Sequence, residues 1–174
     1  GVLVLATSAF ASRGKGSSEV TQAEAGRSSS LSSLNFGLGV SGNGASAGGL
    51  SPEASLWVEF NDKNALQVLF GIQSTAPFTF GAGALYKHSL IGTWNQGFHL
   101  GGGALLGTRA SGLAGSTFAA TITGVAGLHF QVPGVDHILI QADIGPAIDI
   151  VGGAADFRIG AVGGLLGLSI HYLF

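Results

Sequence analysis

Residues 166–174 read Leu-Gly-Leu-Ser-Ile-His-Tyr-Leu-Phe, with Leu166, Leu168, Ile170, Tyr172 and Phe174 on one parity and Gly167, Ser169 and His171 on the other. Successive side chains of a strand point to opposite faces, so this segment presents an apolar face backed by a small and polar one. The same period of two recurs from residue 32 onward. Leu34, Phe36, Leu38 and Val40 alternate with Asn35, Gly37, Gly39 and Ser41, and Ala54, Leu56, Val58 and Phe60 with Glu53, Ser55, Trp57 and Glu59. Beyond the turn 61–64, Leu66, Val68, Phe70 and Ile72 oppose Gln67, Leu69, Gly71 and Gln73. Further alternating segments run over 78–87, 97–109, 117–131, 138–144 and about 157–174. That makes eight, each near the roughly 9–11 residues with which a tilted strand crosses a bilayer.

Composition decides which solvent such strands face. Hydrophobic residues form 46% of the chain and charged residues only 9%, with a mean hydropathy of +0.48. Ordinary soluble domains are about 25% charged. A membrane-like composition normally signals a spanning helix, yet no run of about 18 apolar residues is present. Glycine (31 of 174 residues) interrupts the apolar segments and disfavours helix at each occurrence. A closed β-barrel is then the spanning solution left, because lipid offers no partner to an unpaired backbone group. A soluble β-fold would need polar residues on its outer face, and this sequence places almost none there. The net charge of −2 offers no basic patch for nucleic acid, and the absence of cysteine excludes disulfides and thiolate metal sites.

The expected organisation has three parts. Residues 1–11 carry an apolar run ending in Ala9-Phe10-Ala11, an A-x-A cleavage pattern, and are read as the tail of a signal peptide. Residues 12–31 are rich in Ser and Gly, include Arg13, Lys15 and Arg27, and are read as a flexible polar segment. Residues 32–174 form the barrel: all-β, eight antiparallel transmembrane strands, up-and-down, with short loops at both ends. With strand one rising from one membrane face, Phe60, Tyr86, Trp94, Phe98, Phe130, Tyr172 and Phe174 fall at that level. Phe70, Phe78, Phe80, Phe118 and Phe157 fall at the other, giving two interfacial aromatic girdles.

A strand of this kind ending on an aromatic residue resembles the closing strand of small Gram-negative outer-membrane β-barrels, the OmpA-like transmembrane-domain group. The resemblance covers residues 32–174 in architecture and closing signal, not in a functional motif. It implies export through the periplasm to the outer membrane, contact with its lipids, and recognition of the last strand by the barrel-assembly machinery.

The inner face should gather a polar cluster of Glu53, Glu59, Gln67, Lys87, His99, Arg109, His129, Asp143 and His171, with Gln73 and Gln141 as further partners. Eight strands enclose only enough room for side chains, so mixed charges should pair and plug the lumen. The outer face carries small residues where lipid favours large ones: Ala82, Ala84, Gly102, Ala104, Ala120, Gly124 and Ala126, with Gly160 and Gly164 in the last strand. Small residues let backbones approach within membranes, which points to lateral self-association into a ring-like homo-oligomer with a structural or porin-like role. The competing explanation is relief of crowding on a tightly curved barrel.

No catalytic set, cofactor or metal site is expected. Gly37–Gly42 matches G-x-G-x-x-G but lacks the helix that holds a pyrophosphate. Gly44–Gly48 matches G-x-S-x-G without a hydrolase sheet. A lipid-modifying enzyme and a monomeric narrow channel are the alternatives. Ser46, however, is placed at the opposite end from His99, His129 and His171. The expected outer loops (42–51, 73–77, 109–116, 150–156) are too short and bland for adhesion.

Overall fold

The computed structural model describes residues 34–42, 53–73, 78–111, 115–160 and 167–174. The readings of a signal peptide, a polar segment, Gly44–Gly48 and Gly164 lie outside the described residues. Nine strands form one antiparallel sheet: β1 (Asn35–Ser41), β2 (Glu53–Asn61), β3 (Asn64–Gln73), β4 (Thr79–Thr93), β5 (Gln96–Ser111), β6 (Gly115–Val132), β7 (Val135–Val151), β8 (Ala154–Gly160) and β9 (Gly167–Leu173). Consecutive strands pair from β1 to β8, and β9 joins β7 to β1, which closes the sheet into a barrel.

The nine strands occupy eight wall positions, because β8 and β9 follow one another along the same edge of β7. Gly160 pairs with Gly145 and Gly167 with Asp143. One residue of β7 thus faces a connection of six, five more than a continuous ladder requires. The odd excess reverses the parity. Leu168, Ile170 and Tyr172 point outward in β9, whereas Phe157 and Ile159 do so in β8. The expected unbroken strand over 157–174 is therefore corrected to two strands in opposite phase. The register also sets Gly160 opposite inward-facing Gly145, not on the outer face.

Strands β4–β7 span 15 to 18 residues, well beyond the expected length. Their loops shrink accordingly. The expected loop 150–156 is a two-residue turn, Gly152-Gly153, whose φ angles of 57° and 88° make it the primed type that suits the twist of paired strands. At the opposite end, Asp62-Lys63, Trp94-Asn95 and Pro133-Gly134 form equally tight turns.

The faces are inverted relative to a soluble protein. Leu38, Leu56, Phe70, Phe80, Leu106, Ile122, Ile148, Phe157 and Ile170, one from each strand, are exposed on the outer wall. Lys87, His99, His129, Asp143 and His171 are buried in the interior. Two apolar groups share that interior: Leu69, Leu85, Leu105 and Val125, and Trp57, Ala65, Trp94, Leu139 and Leu173.

Candidate functional site in the barrel interior

Alternation alone aims one residue in two of every strand at the lumen, and the register decides which of them meet. Lys87 of β4 is completely buried and donates to Asp143 Oδ2 and Gln141 Oε1 of β7, both at 2.6 Å. The other oxygen of Asp143 lies 2.6 Å from His99 Nε2 of β5. His99 Nδ1 stands 2.9 Å from His129 Nδ1 of β6, and His129 Nε2 stands 2.8 Å from the Thr93 carbonyl. The chain of contacts therefore crosses the lumen from β4 to β7 and returns through two rings to the β4–β5 turn.

Room for this bridge comes from Gly127, which pairs with both His99 and Asp143 across the sheet. A Cβ there would fall 2.4 Å from Asp143 Oδ1 and 2.9 Å from His99 Cε1. No side chain fits at that position without parting the two residues.

On the other side of the lumen, Ser55 Oγ contacts His171 Nε2 at 2.7 Å, and Gln67 Nε2 donates to Ser55 and Ser169. Ser169 in turn contacts Ser41. Trp57 Nε1 donates to Glu59 Oε1 at 2.9 Å, and Asn35 holds the second Glu59 oxygen. Lys87 Nζ lies 5.7 Å from the Trp57 ring centroid, within reach of a cation–π attraction.

Trp94 corrects the girdle expectation. It is 2% exposed, edge-on to Trp57 at 4.9 Å and against the His129 ring at 4.7 Å. The cause is a bulge in β4, where Ser89 pairs with His99 and Ile91 with Phe98, so that Leu90 and Ile91 both face outward. A bulge adds one residue and reverses the alternation beyond it. Trp94 then belongs to the inward parity and closes that end of the lumen. Of the other girdle residues, Phe60, Tyr86, Phe130, Tyr172 and Phe174 are exposed on the outer wall and Phe98 is half-buried.

Of the expected polar cluster, the side chains of Glu59, Gln67, Lys87, His99, His129, Asp143 and His171 lie buried inside. Arg109 shares their parity but is exposed near the far end of β5, so it does not join the network. Glu53 heads β2, and its side chain lies outside the described residues, as does that of Gln73. Gln141 is the partner of Lys87. Gly37–Ser41 forms part of β1.

A second polar group was not expected. Asp149 of β7 accepts from Thr121 of β6 and from two nitrogens of Arg158 in β8. Asp149 sits on the same parity as Asp143 and was legible as inward. Arg158 was hidden by the phase reversal between β8 and β9. Among the described residues no set of three or more His, Asp or Glu side chains is arranged to hold a metal ion.

The small outer residues occupy neighbouring positions. Ala84 pairs with Ala104, and Gly102 with Gly124, across three adjacent strands. Ala82 and Ala120 both pair with Leu106, and Ala126 pairs with Leu100. They form a shallow area on the wall of β4–β6.

The two buried indoles should respond differently to truncation. Trp57→Phe removes a buried donor from Glu59 and should cost about 1–3 kcal/mol of unfolding free energy. Among the described residues Trp94 Nε1 has no hydrogen-bond partner, so Trp94→Phe loses packing alone and should cost less than Trp57→Phe. Urea titrations of the two folded variants compare them directly.

Compared with known proteins, the chain matches no family model, no curated protein and no solved structure.

Proposed function

We propose that this chain is an integral outer-membrane β-barrel with a structural role, its lumen closed by its own side chains. The inversion of its faces supports this reading most strongly. Large apolar residues cover the outer wall on every strand, while a lysine, two aspartates, a glutamate and three histidines are buried within. In water that exterior would far exceed the few hundred Å² of apolar patch usual on a soluble monomer. In lipid it is the favourable surface. A lumen filled by Trp57, Trp94, the Lys87–Asp143 pair and a leucine layer leaves little path for solutes. The test is reconstitution. The chain should fold in detergent or lipid vesicles and not in plain buffer, and single barrels should give no reproducible conductance steps. Folding in plain buffer contradicts the membrane role, and conductance by isolated barrels contradicts the sealed lumen.

The adjacent Ala84–Ala104 and Gly102–Gly124 pairs favour a second element, lateral association of barrels through β4–β6 into a homo-oligomer. Porin-like transport would then belong to the assembly and not to one barrel. Changing Ala84, Gly102 and Ala120 together to Leu should reduce the native particle in mild detergent to a single barrel. An unchanged particle mass in a folded variant removes the association element.

A further inference from the structure

Three hydrogen bonds run in series through two imidazole rings. They join the Thr93 carbonyl to His129 Nε2, His129 Nδ1 to His99 Nδ1, and His99 Nε2 to Asp143 Oδ1, at 2.8, 2.9 and 2.6 Å. Each bond requires one hydrogen. The carbonyl can only accept, so His129 Nε2 must donate. One hydrogen must lie between the two Nδ1 atoms. An ionised carboxylate can only accept, so the third sits on His99 Nε2. Two neutral rings carry two such hydrogens between them, and the geometry calls for three.

We propose that His99, His129 and Asp143 form a proton-binding site, holding one proton more than two neutral imidazoles and an ionised carboxylate would carry. The extra proton resides on the ring pair, or on the Asp143 carboxyl with His99 Nε2 accepting. Both arrangements satisfy the same three bonds. With one proton fewer, two lone pairs face each other at some point of the series. At side chains as buried as these, 0–2% exposed, an unpaired polar atom loses its partner with little to replace it, so the shortfall is costly.

Lys87 of β4 holds the second Asp143 oxygen, His171 of β9 packs on Trp57, and Glu59 of β2 accepts from Trp57. The inward residues of β1 (Gly37, Gly39, Ser41) and of β3 (Ala65, Gln67, Leu69) carry no titratable group, and Arg158 of β8 is committed to Asp149. The consequence falls on the β4–β5 turn. His129 fixes Thr93 and packs against Trp94, so the proton ties the residue that closes the lumen to the wall at β7. This inference rests on the lumen geometry and not on what surrounds the barrel.

The test is nuclear magnetic resonance of the full chain, folded, with labelled histidine nitrogens and aspartate carboxyl carbons, near neutral pH. The expected result is coupling across Nδ1···Nδ1 between His99 and His129. Alongside it, three of the four ring nitrogens should be protonated, or two with a protonated Asp143 carboxyl. Asp143→Asn supplies an amide that donates to His99 Nε2, so the site should lose one proton while the Nδ1···Nδ1 coupling persists. Two ring protons beside an ionised Asp143, or no coupling between the rings, would overturn the proposal. The wild-type spectrum decides this even where the variant fails to fold.

Discussion

Asp143→Ala should lower the unfolding free energy of the barrel by about 3–5 kcal/mol, the cost of breaking a buried ion pair by deleting one member. The size follows from what Asp143 holds. It receives Lys87 on one oxygen and His99 on the other, and Lys87 is completely buried. Without the carboxylate, Lys87 keeps only Gln141 as a hydrogen-bond acceptor among the described residues. The Trp57 face offers a weaker attraction. Replacing both members with apolar residues, Lys87→Met with Asp143→Leu, should recover much of the loss, because no buried charge is then left alone. Urea unfolding of the two variants in one detergent measures the difference. A loss below about 1 kcal/mol in Asp143→Ala, the range of an exposed pair, would mean that water reaches the pair.

Ile122→Arg separates the membrane reading from any soluble one. Ile122 is 57% exposed, on the outer wall, between Ala104 of β5 and Ile148 of β7. On a soluble barrel an arginine at so open a position would change stability by about 0.5 kcal/mol or less. At the middle of a bilayer the same change costs about 2–4 kcal/mol, falling towards zero near the interfaces. A companion substitution at Phe60, beside the Asp62-Lys63 turn, should therefore be much milder in vesicles. Equal and small effects at both positions would argue against lipid around the wall.

Most of the wall was legible because one rule, alternation, governs all of it. Parity alone places Leu38, Leu56, Phe70, Leu106, Ile122 and Ile170 outward, and Lys87, His99, His129 and Asp143 inward. What escaped the rule were the places where the count slips by one residue. The bulge at Leu90–Ile91 turned Trp94 from the outer girdle into the lumen, and five extra residues between β8 and β9 hid Arg158. Neither slip changes composition or periodicity within a short window, so no local pattern reveals it. The partners across the lumen were equally invisible. Parity says that His99 and His129 face inward, but only the register among β4, β5, β6 and β7 brings them to each other and to Asp143.

The chain contains no cysteine, so a single introduced thiol can be labelled uniquely. The most direct measurement places a spin label at Ile122→Cys in vesicle-reconstituted protein and compares collisions with oxygen, which concentrates in lipid, and with a water-soluble nickel complex. A wall embedded in the bilayer predicts frequent oxygen collisions and very few with nickel. The reverse, ready access to nickel, would place this wall in water and contradict a membrane-embedded barrel.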